Sequence, residues 1–181
     1  WLREGDRIAF ASDRAGSFDL YSVRDSGDEL LQLGSHPADD RDPAFPTPAL
    51  LPQRDAIAAA SGSGGTRAIT LLTTGQERAP LVDATRVDYI TPAWSPEGDR
   101  LAFASDVNGS YDIYVLDLAS EQLINLTRAM GDDLHPAWSP DGGRIAFESD
   151  RHGNWELYSV NADGSAGLRN LSAHPAHDGN P

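Results

Sequence analysis

The feature that most constrains the fold of this chain is an internal repeat of about 44 residues. Residues 135–150 read HPAWSPDGGRIAFESD, residues 91–106 read TPAWSPEGDRLAFASD, and the chain opens WLREGDRIAFASD. The aromatic residue of this motif recurs four times, at Trp1, Phe45, Trp94 and Trp138. Four repeat units follow, bounded at about residues 1–44, 45–93, 94–137 and 138–181. A repeat of this period predicts similar structural units packed against their neighbours.

Each unit contains the pattern of four short strands separated by tight turns. P-A-W leads into S-P-D/E-G, where proline fits the second position of a turn and glycine tolerates a positive φ. R-I-A-F-x-S is apolar at nearly every position, which suits a strand buried on both faces. A D-R-x-G loop, a strand such as YDIYVLD and a last strand such as LINLT complete the unit. The sequence therefore predicts an all-β propeller array of four blades, each a four-stranded antiparallel sheet, without helix.

The second unit departs from the others. It has Gly62 where the other units have an aspartate, Ala68 where they have an acidic residue and Thr70 where they have a tyrosine. The spacing from Phe45 to the next motif aromatic, Trp94, is 49 residues rather than 44, which places an insertion between Phe45 and Ile57. We expect this degenerate blade to keep its shape and to lose its acidic loop.

These motifs resemble the TolB-type β-propeller repeat, a WD40-like repeat also called PD40. Its blades read P-x-W-S-P-D-G, then R-I-A-F-x-S-D-R-x-G-x-x-D-I-Y, then a terminal L-T, and the resemblance covers essentially the whole chain. It implies a non-catalytic scaffold that binds protein partners in the bacterial envelope, in the periplasm or outside the cell. Similar propellers also gate prolyl-oligopeptidase-type peptidases, and some propeller lyases use histidines and a metal, so a propeller component of an enzyme is the alternative.

The two ends of the chain fall at the same phase of the repeat. Trp1 is the tryptophan of one P-A-W and Pro181 is the proline of the next. We expect a ring closed by joining the halves of that strand, a longer array, or two chains that associate to complete a larger propeller.

Amino-acid composition limits the kinds of molecule that this chain is expected to bind. The net charge is −14, and all fourteen cationic residues are arginine. This charge disfavours nucleic acids and anionic membranes, and it suits a protein or a basic peptide segment. The sequence has no Cys, which excludes thiolate metal sites, and no G-x-S-x-G nucleophile elbow, so we expect no catalysis by this chain. It also contains no apolar run long enough to insert into a membrane.

The segments that precede each P-A-W are the candidate binding site. They read DDRD at 39–42, DYIT at 88–91, DDLH at 132–135 and HDGN at 177–180. In an up-and-down blade they reach the mouth of the central channel, so we expect an acidic binding surface there. Its members are Asp40, Asp42, Asp88, Asp133, His135, His177 and Asp178. We expect this surface to receive a basic segment or, alternatively, to hold a divalent cation of undetermined identity.

The aspartates that begin the D-x-x-G loops have a structural interpretation. Asp13, Asp106 and Asp150 recur at one position of three units. Short polar side chains at such positions accept backbone N–H bonds first, so we expect these three to cap their turns.

Overall fold

The structure is a computed structural model, and it describes residues 7–33, 39–44, 57–63, 65–72, 79–82, 86–165 and 167–181. The chain divides into two compact units, Trp1–Ile90 and Thr91–Pro181. The described residues form fifteen strands and no helix. They also include no helix of the length and apolarity needed to cross a membrane.

The first unit contains two antiparallel sheets. One sheet has three described strands, β1 (Arg7–Ser12), β2 (Asp19–Arg24) and β3 (Leu31–Gln32). The other has four strands, β4 (Asp39–Ala44), β5 (Ile57–Ser63), β6 (Thr66–Leu72) and β7 (Ala79–Pro80). The degenerate blade thus has the up-and-down order of a full blade, and its insertion between Phe45 and Ile57 lies outside the described residues.

Two further sheets have the same strand order. The third sheet consists of β8 (Tyr89–Trp94), which contains the boundary between the units, β9 (Arg100–Ser105), β10 (Asp112–Asp117) and β11 (Leu123–Asn125). The fourth consists of β12 (Asp133–Trp138), β13 (Arg144–Ser149), β14 (Glu156–Asn161) and β15 (Arg169–Asn170). Strands that follow one another in sequence are neighbours in every sheet. The prediction of an all-β propeller with four blades is confirmed.

The R-I-A-F-x-S motif and its R-L-A-F-x-S variant form a largely buried second strand in the third and fourth sheets. In β9, Leu101 and Phe103 are fully buried, as are Ile145 and Phe147 in β13. The motif phenylalanine stacks on the tyrosine of the next strand, with centroids 6.2 Å apart for Phe103 and Tyr114. Apolar residues on both faces of one strand therefore fix it inside the blade.

The S-P-D/E-G segments form the predicted turns. Gly98 and Gly142 donate their N–H groups to the carbonyls of Ser95 and Ser139, each at 2.9 Å. The two glycines have φ of 68° and 66°, a conformation that glycine adopts without steric cost. Each turn delivers the chain from the first strand of a sheet to the buried second strand.

Candidate functional site

The acidic segments before P-A-W lie largely within the first strands of the sheets. Strands β4 and β12 each contain a register shift, between Arg41 and Ala44 and between Leu134 and Ala137. The residue three positions before the aromatic has a left-handed backbone in each first strand. This position holds Asp42, Thr91 and His135, with φ of 51°, 50° and 51°, and Asn180 before Pro181 has φ of 57°. We call these four the bulge residues. A bulge re-aims the side chain at its position.

The side chain three residues before each bulge residue contacts the backbone at the start of the third strand of its own repeat unit. It accepts the backbone N–H of the residue 21 or 22 positions earlier. The pairs are Phe18 with Asp39 at 3.0 Å, Arg67 with Asp88 at 2.9 Å, Tyr111 with Asp132 at 3.0 Å and Trp155 with His177 at 3.3 Å. The N–H of Phe18, followed by the Arg41 side chain, lowers the pKa of the Asp39 carboxyl. Each contact therefore joins the end of a repeat unit to its middle.

Three of the predicted binding residues, Asp40, Asp88 and Asp133, are buried and bonded to other side chains of this chain. Asp40 accepts a hydrogen bond from Ser61 Oγ at 2.7 Å. Asp88 accepts two bonds from the guanidinium of Arg67, at 2.9 Å from Nε and 2.5 Å from Nη2. A carboxylate buried against a partner in its own chain is a poor contact for an incoming segment.

Asp133 is fully buried, as Asp40 is, with none of its surface exposed. Arg151 Nη2 lies 2.9 Å from its Oδ1 and 2.8 Å from its Oδ2. Burial raises the pKa of Asp133, and hydrogen bonds from Ser149, Thr127 and Arg151 act in the opposite direction. The group is a buried acid–arginine pair.

The other four predicted residues lie nearer the surface. Asp42 in the first unit is exposed, as are His135 and His177 in the second, and Asp178 is half-buried. Asp178 also donates its backbone N–H to the carbonyl of Trp155 at 2.8 Å. The accessible part of the predicted set therefore consists of bulge residues and their neighbours.

One residue of the candidate site was missed by the sequence reasoning. Glu148 in β13 lies with one oxygen 2.6 Å from His135 Nδ1 and accepts the backbone N–H of Asn180 at 2.9 Å with the other. Its carboxylate thereby joins two bulge residues of the second unit. Comparison of the repeat units could have pointed to Glu148, because the other units have alanine at this position.

The D-x-x-G turns are held by main-chain groups. The carbonyls of Asp13, Asp106 and Asp150 accept the N–H of Gly16, Gly109 and Gly153 at 2.9, 2.8 and 2.8 Å. The Asp150 carboxylate accepts the backbone N–H of Asp132 at 2.8 Å, outside its own turn. Side-chain capping inside the turn comes from the preceding serine, since Ser149 Oγ accepts from Arg151 N at 3.3 Å.

A metal centre is not evident in the part of the chain that the structure describes. No group of three or more His, Cys, Asp or Glu side chains there has an arrangement that could hold an ion.

The repeated sequence that forms these sheets matches a known family. The model of the TolB beta propeller domain, PD40, matches residues 46–177. The chain belongs to this family. A search of curated proteins found no match.

Solved structures with this fold include two TolB proteins. The putative TolB of Agrobacterium tumefaciens is 24% identical, with a TM-score of 0.83 over 100% of this chain and 63% of that one. TolB of Acinetobacter baumannii is 24% identical, with a TM-score of 0.78 over 95% of this chain and 43% of that one. A puromycin-hydrolyzing peptidase of Mycobacterium tuberculosis is 18% identical, with a TM-score of 0.62 over 94% and 29%. The chain thus spans less than two thirds of each, and these likenesses show the fold.

Proposed function

We propose that this TolB-type propeller is a non-catalytic scaffold that binds a protein or a basic peptide segment in the periplasm or outside the cell. The observation that carries the proposal is the placement of exposed polar side chains at left-handed backbone positions of the first strands. Asp42, His135 and Asn180 have this backbone and are exposed. The compartment follows from the family resemblance.

Backbone energetics support a binding role for the bulge residues. A left-handed conformation costs an ordinary residue about 1–2 kcal/mol, less for Asp and Asn, whereas glycine adopts it freely. Strained positions of this kind concentrate at binding sites, where the surrounding fold holds them. The bulge residues therefore give the blades a set of side chains that vary in chemistry on a constant backbone.

Charge supports a basic partner. The buried carboxylates are paired within the fold, but Asp42 and Asp178 retain access to solvent in a chain of net charge −14. Attraction of a cationic segment to such groups raises its association rate and weakens as salt screens it beyond about 10 Å at 0.1 M.

A labelled hexalysine peptide tests the proposal by fluorescence anisotropy at low and high salt. Asp42→Asn combined with Asp178→Asn should weaken binding, chiefly through the association rate. The matched control, Asp25→Asn with Glu121→Gln, removes the same charge from exposed turns. Equal weakening by both pairs would show that net charge alone attracts the peptide, and the proposal would then be wrong.

An enzyme component is the alternative, and one contact favours it. Glu148 orients the His135 imidazole, whose other nitrogen, Nε2, is then the one left to take a proton or bind a divalent cation. Peptide hydrolysis by the purified chain that disappears in His135→Gln, or a melting temperature raised by Mn²⁺ only when His135 and His177 are present, would favour this alternative.

A further inference from the structure

The residue before the glycine of each D-x-x-G loop contacts the tyrosine of the next strand in the third and fourth sheets. In the third sheet, Asn108 Nδ2 donates to the Tyr114 hydroxyl at 2.9 Å. In the fourth sheet the same position holds His152, whose Nδ1 lies 2.6 Å from the Tyr158 hydroxyl. Asn108 and His152 are both exposed, whereas the two tyrosines are buried. One loop is therefore tied to its sheet by an amide and the other by an imidazole.

The two side chains differ in the bond that they can make to a hydroxyl. The Nδ2 group of an asparagine only donates. A histidine nitrogen accepts when it carries no hydrogen and donates when it is protonated. The first unit has Ala15 at this position, which does neither. The fourth unit is thus the one among these three in which protonation can reverse the bond.

The Tyr158 hydroxyl has one hydrogen and two nearby acceptors. Its oxygen lies 2.6 Å from His152 Nδ1 and 3.4 Å from Glu156 Oε2. Asn170 Nδ2 donates to the hydroxyl oxygen at 3.2 Å and also donates to Glu156. When His152 Nδ1 carries no hydrogen, this nearer nitrogen accepts the hydroxyl hydrogen and Glu156 loses a donor. When Nδ1 is protonated, it donates to the hydroxyl, and the hydroxyl hydrogen goes to the Glu156 carboxylate.

The two groups that follow His152 in this chain of bonds keep their charge near neutral pH. The Asn170 amide holds the pKa of the Glu156 carboxyl below its usual value, so this carboxyl is ionised. Burial, followed by the Glu156 charge, raises the pKa of Tyr158, so its hydroxyl keeps its hydrogen. Histidine is the side chain that ordinarily changes charge between about pH 5 and 8. His152 therefore decides the direction of the bonds.

Other charged and titratable groups face the loop from the elements around it. Arg151 lies with its guanidinium 4.9 Å from the Tyr158 ring centroid, but it binds both carboxylate oxygens of Asp133. A proton on His152 therefore enters a region in which carboxylates outnumber guanidinium groups. The groups are Glu156 on β14, Asp132 and Asp133 before and in β12, Asp150 and Arg151 in the loop, and His174, His177 and Asp178 after β15.

We infer that His152 is a pH-sensitive latch that ties the loop of residues 150–155 to the fourth sheet more firmly in acid than at neutral pH. Protonated His152 donates to Tyr158, and Tyr158 donates to the buried Glu156 carboxylate, so both bonds are charge-assisted. Neutral His152 accepts from Tyr158, and the chain of bonds ends at the hydroxyl. The latch goes beyond the proposed function, because it acts on the loop without any partner.

Nitrogen NMR of the histidine ring tests the direction of the bonds. The whole chain is labelled with ¹⁵N-histidine, and two-bond proton–nitrogen spectra are recorded at about pH 5 and about pH 8. At the higher pH, His152 should carry its hydrogen on Nε2 and none on Nδ1, and at the lower pH it should carry both. A neutral His152 with its hydrogen on Nδ1 would overturn the inference, because Nδ1 would then donate to Tyr158 at every pH.

Amide hydrogen exchange measures the effect on the loop. Gly153 donates its N–H to the Asp150 carbonyl at 2.8 Å within the loop, so its protection factor reports opening of the loop. In wild type this protection should be about tenfold higher in acid, the scale on which a charge-assisted bond exceeds a neutral one. His152→Asn should be equally protected at both pH values, because its amide donates at both, as Asn108 does. His174→Asn, the same change at another exposed histidine, should keep the wild-type ratio.

Three exchange results would contradict the latch. They are equal protection of wild-type Gly153 at the two pH values, a His152→Asn variant with the wild-type ratio, and loss of that ratio in His174→Asn. Tyr158→Phe keeps the test decisive if His152→Asn does not fold, because it removes the hydroxyl and keeps a ring to stack on Phe147. Its Gly153 protection should not depend on pH, and a ratio like that of wild type would also refute the inference.

Discussion

Replacing Asp133 with alanine should destabilise the second unit by about 3 kcal/mol. Loss of one member of a buried ion pair costs about 3–5 kcal/mol, because the remaining charge is left buried and unpaired. We expect the lower end of this range, because the Arg151 side chain is 11% exposed. In the variant it also keeps its hydrogen bond to Ser149 and its contact with the Tyr158 ring. Asp133→Asn keeps one acceptor oxygen and should lie between wild type and alanine.

Urea denaturation followed by tryptophan fluorescence measures this loss. With an m-value of about 1–3 kcal/mol/M, the midpoint of Asp133→Ala should fall by at least about 1 M. Asp42→Asn, an exposed matched change, should shift the free energy of unfolding by about 0.5 kcal/mol or less. An Asp133→Ala midpoint equal to that of wild type would refute the description of Asp133 as a buried, paired carboxylate.

The pH dependence gives a second check on Asp133. Burial raises its folded-state pKa above the ordinary 3.8, so between these two values the folded state holds more protons than the unfolded state. Stability contributed by this carboxyl therefore increases as pH falls through that window. The difference in unfolding free energy between wild type and Asp133→Ala should widen on acidification toward pH 3.8.

Three further outcomes are expected. The N–H of Phe18 lowers the pKa of Asp39, so the stability that this carboxylate contributes is present above pH 3.8 and is lost as pH falls through its folded-state pKa. The stability of Asp39→Asn should therefore fall less steeply with acidification than that of wild type. Thr91→Gly should raise the free energy of unfolding by about 1 kcal/mol, as measured by chemical denaturation. The change removes a β-branched residue from a left-handed backbone position, and it removes a buried Oγ1 that has no hydrogen-bond partner among the described atoms. Asn125→Ala should cost about 1–3 kcal/mol by the same assay, because it removes the 2.8 Å amide bond to the buried Asp112.

The strands and turns were predictable because their signals are local. A run such as R-I-A-F-x-S between a Pro-Gly turn and a D-x-x-G loop specifies a short buried strand whatever surrounds it. The 44-residue period then specifies how many four-stranded units the chain contains. Four sheets with consecutive strand order follow from these two facts.

The sites of the individual carboxylates were not predictable in the same way. Asp40 and Asp42 are two residues apart in one acidic segment, yet one is buried against Ser61 and the other is exposed. The difference depends on the bulge after Arg41, and a bulge is set by pairing with the neighbouring strand. A sequence pattern that treats the segment as one acidic loop cannot separate them.

The degenerate second unit shows which of these features belong to the fold. It has Gly62 in place of the loop aspartate, yet a buried acid–arginine pair is still present, formed by Asp88 with Arg67. Asp133 and Arg151 form a second acid–arginine pair at other repeat positions, inside the fourth sheet. Because such pairs occur at different positions and are bonded within the chain, they serve packing. The bulge residues differ, because their backbone conformation stays the same while their side chains change from blade to blade, and for this reason we propose them as the binding positions.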